Sequence, residues 1–396
     1  MTALTGVPVT RPTALADARL ARLRAVMADA DADWLVVSGV ADVLYASGYR
    51  SVSDAVIGRG GLVALVGQDD LWLCGPAADG PAAVAGGLPA DRYVGWGRFF
   101  FDEPEGPTPG WAHAERYAGL SEAVADALQR SGARGRILAE ADLGELAAAT
   151  LPTASVSGGA RRVTGAARSA KLPGEVELLR RSAELAEAGI QAALSELRAG
   201  VTERELGARV AATMAAGGGE PRFVVVATGE RSALADAPLT GRRVEAGDIV
   251  RFDVGCVLDG YWSDVGRTAV LGEPDATLAR RYAAVLDGEE QQLRNIAPGL
   301  GGAELFEIAV AAVEAGGITP YRRHHCGHGI GLDIYETPGV GPASRDVLRE
   351  GMTVNVETPY YELGWGGIMV EDTVVVTTEG CEWLTASPRD LRVVEP

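Results

Sequence analysis

The chain has 396 residues, 36 basic against 54 acidic, a net charge of −18 and 47% hydrophobic residues. That length supplies a large core, two to three domains at about 150 residues each, and the acidity argues against nucleic acid and anionic membranes as partners. No apolar run approaches the roughly 20 residues of a membrane span, and the first residues lack a basic stretch followed by an apolar one, so cytoplasm is the expected location.

Residues 14–31 carry a helical pattern that leads into a short apolar run, 34–39, of the kind a buried strand shows. Further runs at 61–67, 71–75 and 136–140, with an amphipathic stretch over 114–129, alternate strand and helix and predict an α/β domain. The segment 156–171 is rich in Gly, Ser and Arg and is the expected domain boundary. After Pro173 a long helix is predicted with Gly200 as its C-cap, and Thr202 to Glu205 (TERE) reads as a capping box opening the next. A strand at RFVVVATG precedes a hairpin, DIVRFDVGCVL and YWSDVGRTAVL, turning at Asp259-Gly260. The second half repeats this order: two helical stretches, then MTVNVETPYY and GIMVEDTVVV. Helices followed by two strands bearing acidic residues, twice over, predict an internal pseudo-twofold.

Several chemistries are excluded by residue inventory. Lys171 is the only lysine and sits in SAKLPGE, which fits neither a Schiff-base pocket nor a P-loop. The cysteines Cys74, Cys256, Cys326 and Cys381 form no CxxC pair, so neither a disulfide frame nor a zinc knuckle is expected. No nucleophile elbow and no complete GxGxxG after a strand is present.

Three of the four histidines, His324, His325 and His328, fall within RRHHCGHGIGLD, where glycines permit close backbone approach to His328. Four acids interrupt apolar strand patterns: Asp253, Asp264, Glu357 and Glu371. Singly, each would read as a strand-edge charge facing solvent. Together, buried convergent carboxylates repel one another unless compensated, and two divalent cations balance four carboxylates. Oxygen donors with one imidazole and no thiolate suit Mn²⁺, Fe²⁺, Co²⁺ or Zn²⁺. Paired metals can activate a bridging water and polarise a carbonyl, so the expected chemistry is metal-assisted hydrolysis.

At these residues the chain resembles the pita-bread metallopeptidases, the family of Xaa-Pro dipeptidase, aminopeptidase P, methionine aminopeptidase and creatinase. The resemblance is carried by GDIVRFDVG, GYWSDVGRT, GHGIGLD, NVETPYY and GGIMVEDTVVVTTEGCEWLT, and more weakly by ADVLYASGY at 41–49. It implies an α/β (α+β) chain: a creatinase-like N-terminal domain over 1–165, and over 172–396 a pita-bread catalytic domain whose pseudo-twofold antiparallel sheet is flanked by helices. It implies five metal ligands, Asp253, Asp264, His328, Glu357 and Glu371, with Asp264 and Glu371 bridging two metals and Glu357 also shuttling a proton. His324 matches a position near the substrate. A homodimer is implied as well. Three positions depart from the proline-specific members: Asp236 and Tyr335 stand where those carry His, and Met369 where they often carry Arg. A tyrosine can donate to an oxyanion, and an aspartate at 236 favours an ammonium. The expected function is an Xaa-Pro aminopeptidase or dipeptidase acting on short peptides, with His324, Tyr335 and Asp236 orienting the substrate. The alternative is a metal-dependent hydrolase or lyase of a small molecule on the same scaffold.

Overall fold

A computed structural model describes residues 13–53, 61–101 and 117–396. It divides the chain into two compact units, Met1–Arg168 and Ser169–Pro396.

The first unit holds a six-stranded mixed sheet. Its strands are β1 (Trp34–Ser38), β2 (Val63–Gly67), β3 (Leu71–Pro76), β4 (Tyr93–Trp96), β5 (Arg136–Ala139) and β6 (Ser155–Ser157), in spatial order β4-β3-β2-β1-β5-β6. The runs expected as strands all form strands, because each is short, apolar and bounded by turn residues. The amphipathic stretch becomes the helix Leu120–Arg130; the first three residues expected in it, 114–116, lie outside the described residues, as do residues 1–12. Ala123, Val124, Ala127 and Leu128 recur at helical spacing and bury against Val36, Leu65, Trp72 and Ile137.

The segment expected as a boundary is ordered along most of its length. Ser155–Ser157 pairs in parallel with β5, and Ala160–Ser169 is a helix. Its apolar residues are few but well spaced: Ala160, Val163 and Ala167 are buried while Arg161 and Arg162 face solvent. Composition hid an amphipathic helix that spacing reveals.

The second unit is built on β7 (Glu220–Thr228), β8 (Ile249–Leu258), β9 (Tyr261–Trp262), β10 (Val265–Leu271), β11 (Gly327–Gly329), β12 (Glu336–Gly339), β13 (Thr353–Glu357), β14 (Tyr360–Glu362), β15 (Gly366–Ile368), β16 (Glu371–Val376), β17 (Cys381–Trp383) and β18 (Arg392–Val394). The main path runs β12-β11-β13-β16-β10-β8-β7, and β14 pairs with β15 apart from it. Two helix pairs supply separate cores. Helices Pro173–Leu194 and Glu203–Ala216 bury Ile190, Leu206, Val210 and Met214 with Val226, Phe252 and Val254. Helices Ala276–Asn295 and Gly302–Ala315 bury Val285, Leu305, Ala309 and Val313 with Val354, Val356 and Val374. Each half therefore has its own helix pair and hairpin, which is the expected pseudo-twofold.

Two local expectations change. The long helix ends at Leu194 with Ser195 as its cap; Gly200, at φ +85°, instead turns the chain so that its N–H donates to Val244 O at 2.8 Å. The capping box forms as expected, the Glu205 N–H donating to Thr202 Oγ1 and the Thr202 N–H to Glu205 Oε2 at 2.8 Å. Asp259 and Gly260 both take positive φ, as a tight two-residue hairpin turn requires.

A candidate metal centre

Strand alternation aims the acids. On β8, Val250, Phe252 and Val254 enter the helix-covered core, so Arg251 and Asp253 project from the opposite face. On β13, Val354 and Val356 enter the other core, and Asn355 and Glu357 project away. Antiparallel register then lines the acids up. Glu357 pairs with Glu371, Glu371 with Gly266, and Gly266 with Asp253, a single row across four strands. Asp264 immediately precedes β10, and His328 on β11 lies opposite Asn355. Gly266 is bare for a reason: a Cβ there would lie 2.4 Å from Met369 Cγ and 2.9 Å from Glu371 Cβ.

Asp264, His328 and Glu371 bring donor atoms within 4.8 Å of one another, and all three side chains are buried. Among the described residues this is the one such cluster of three found. His328 Nδ1–H donates to Gly329 O at 3.0 Å, and its Nε2 lies 3.5 Å from Asp264 Oδ2. The tautomer is thereby fixed, leaving Nε2 as the donor toward the cluster. Asn355 Nδ2 donates to Glu371 Oε1 at 2.5 Å while Thr373 Oγ1 donates to Asn355 Oδ1 at 2.8 Å. Glu371 Oε2 is buried with no hydrogen-bond partner. A buried carboxylate oxygen without a donor is costly, and a cation is the partner that this donor set fits.

The protonation pattern says the same. Burial, followed by Asp264, pushes the Asp253 carboxyl up to about 7, against the pull of Arg251. Burial pushes Glu371 well above the usual carboxylate range, with Asp264, Glu357 and Asp253 adding to it. Asp264 is raised by burial in spite of His328. Glu357 alone goes down: burial raises it, but the contacts with His325 and Arg323 outweigh that. Arg323 Nη2 donates to Glu357 Oε2 at 3.0 Å, and His325 Nδ1 lies 2.9 Å from Glu357 Oε1.

The remaining sequence-predicted residues fall around this core. Tyr335 is 64% exposed, with its ring centroid 4.3 Å from that of His328. Burial and then Asp264 raise its hydroxyl to about 12, so it stays protonated at neutral pH. The loop carrying it is pinned by Lys171 Nζ, which donates to Glu336 Oε2 at 2.7 Å, both side chains almost fully buried. His324 is exposed and edge-on to His325 at 4.2 Å; it is His325, one residue on, that reaches Glu357. Asp236 is exposed and close enough to Asp253 to raise its pKa. Met369 is buried against Gly266. Sequence reasoning missed Arg251, Arg323 and Asn355, and named His325 without giving it a role. Arg251 broke an apolar strand pattern just as Asp253 did, and that signal would have found it.

Residues 177–378 match the family described as Metallopeptidase family M24, and residues 19–154 match the Creatinase/Prolidase N-terminal domain. The chain belongs to metallopeptidase family M24. Such a metallopeptidase implies divalent metal ions, which the donor set above accommodates. The chain is 35% identical over 226 residues to the Xaa-Pro dipeptidase of Pyrococcus furiosus, 57% of this chain and 65% of that protein. It is also 35% identical over 219 residues to the Xaa-Pro dipeptidase of Pyrococcus horikoshii, 55% of this chain and 62% of that protein. These matches thus span a little under two thirds of the relatives' own lengths. The fold of this M24 chain is similar to the Xaa-Pro dipeptidase from Bacillus anthracis, with TM-score 0.79, 27% identity, and 96% and 100% of the two chains covered. The prolidase from Pyrococcus horikoshii OT3 is similar at TM-score 0.77 and 26% identity, over 94% and 99% of the two chains.

Proposed function

We propose that this chain is a dinuclear metal-dependent Xaa-Pro peptidase acting on short peptides. The observation that carries the reading is the buried, unpartnered Glu371 Oε2 beside Asp264 and His328, a donor set that suits a divalent cation. Asp253, Asp264, His328, Glu357 and Glu371 would hold two divalent ions, manganese first among Mn²⁺, Fe²⁺, Co²⁺ and Zn²⁺. When bound, such ions supply Lewis acidity to a carbonyl and lower the pKa of water.

The chain's own residues do the rest. Glu357, held ionised by Arg323 and His325, is the group that takes a proton and hands it to the leaving nitrogen. Tyr335, protonated and beside His328, donates to the scissile carbonyl oxygen as negative charge develops there. Asp236 receives the substrate's ammonium, and His324, exposed beside His325, orients the substrate. Arg323 Nη1 has no hydrogen-bond partner among the described residues and is the anchor for a substrate carboxylate. A homodimer and a cytoplasmic setting belong to the same reading, the latter supported by four free cysteine thiols.

The test is turnover of Mn²⁺-loaded protein on Xaa-Pro dipeptides and tripeptides, with Asp264→Asn as control. Proline-dependent cleavage that D264N abolishes, together with its bound metal, is the expected result. Full metal occupancy without peptide turnover would instead favour a small-molecule hydrolase or lyase, to which Asp236, Tyr335 and Met369 lend some support.

A further inference from the structure

Arg251 is a guanidinium with no solvent exposure, two residues before Asp253 on β8. Its hydrogen bonds divide between two places. Nε donates to Ser232 O at 3.0 Å, and Nη2 donates to Leu234 O at 2.8 Å and Ala235 O at 2.7 Å. Nη1 donates to Asp253 Oδ2 at 3.1 Å and lies 4.0 Å from Met369 Sδ. One rigid planar group therefore joins the turn leading to Asp236 and the carboxylate of Asp253. A fork of five N–H donors can do this; a lysine ammonium, as a point charge, cannot span both.

The register adds a second observation. Arg251 lies opposite Thr268 on β10, and Thr268 Oγ1 bonds both backbone groups of Met369, donating to its carbonyl and accepting its N–H, each at 2.8 Å. Positions 251 and 369 thus both adjoin Thr268, and the same Arg251 Nη1 that donates to Asp253 Oδ2 lies against Met369 Sδ. A cation rooted at either position reaches the same place.

We propose that Arg251 is a positioning residue of the metal centre, locking Asp253 and the turn 232–235 into one unit, and that position 369 can supply the same cation when Arg251 is absent. This rests on Asp253 being a ligand. Wild-type protein stripped of metal, R251M, R251K, R251M/M369R and D253N would each be titrated with Mn²⁺ by calorimetry and melted in parallel. R251M is expected to weaken one of two sites by about 10–100-fold, the range seen when a ligand's supporting partner is lost, and to leave the other unchanged. R251K should regain little, whereas R251M/M369R should return the weakened site to within a few-fold of wild type. If R251M fails to fold, R251K and the double variant carry the comparison alone. A wild-type titration for R251M or R251K, or a double variant no better than R251K, overturns the proposal. A D253N titration identical to wild type would instead remove the ligand assignment beneath it, so the two failures are distinguishable.

Discussion

Replacing Gly266 by alanine probes the row of acids without touching any of them. The added Cβ would stand 2.9 Å from Glu371 Cβ and within 2.6 Å of Met369 Sδ. Carbon atoms settle at about 3.5 Å or more, so Glu371 would have to retreat by about 0.6 Å even after the flexible Met369 end swings aside. Metal–oxygen distances tolerate only about 0.2 Å. Overpacking of this kind costs about 1–3 kcal/mol of stability, and the displaced carboxylate should weaken metal binding by at least about 10-fold. Calorimetric titration with Mn²⁺, alongside thermal melting, reads both quantities. Trimming the neighbour in G266A/M369A should recover part of the stability but not the metal affinity, because the clash with Glu371 Cβ persists. Wild-type metal affinity in G266A would refute the argument that this glycine makes room for the ligand.

The other expectations follow from single contacts. Asp253 has a folded-state pKa of about 7 against an ordinary carboxylate value of about 3.9. Its stabilising contribution is therefore complete below about 3.9 and lost as pH rises through about 7. Metal-free wild type should lose melting temperature from pH 4 to 7 relative to Asp253→Asn, and a constant difference between the two would contradict this. Arg323→Met removes the proposed carboxylate anchor, worth about 1.5–3 kcal/mol for a charged hydrogen bond. KM for an Xaa-Pro dipeptide should rise by about 10–100-fold while that of its C-terminal amide stays put, and equal changes would sink the idea. Tyr335→Phe should lower kcat by about 10²-fold, as loss of one oxyanion donor does, with melting unchanged because the ring is largely exposed. An unaltered rate would reduce that ring to a packing neighbour of His328.

The pattern of the sequence carried most of this architecture because strand alternation and register act locally. Phe252 and Val254 dictate which way Asp253 points, and the Asp259-Gly260 turn fixes which residue faces it. The helix Ala160–Ser169 escaped because small and arginine-rich residues mimic linker composition even when Ala160, Val163 and Ala167 share a face. The early stop at Leu194 escaped because Gly200 spends its left-handed conformation on a tertiary bond to Val244 rather than on a cap. The partners of the acids were the hardest to foresee. That His325 reaches Glu357 depends on the path of the 321–328 segment, which the cluster of histidines in the sequence does not reveal. Arg251 sits two residues from Asp253 on one strand face, which alternation could have shown, whereas Arg323 finds Glu357 34 positions away through geometry that no linear spacing encodes.

The burial of Lys171 against Glu336 has a practical outcome. It is the chain's sole ε-amine, and only 1% of its side chain is open to solvent. Succinimidyl esters, aldehydes and acetylating reagents thus find no lysine handle on the folded surface, whose positive charge is borne by guanidinium groups. Any tether, dye or cross-link intended for this molecule must be routed through a carboxylate, an introduced thiol or the α-amine, and a lysine adduct appearing on Lys171 would itself report that the loop bearing Tyr335 has come undone.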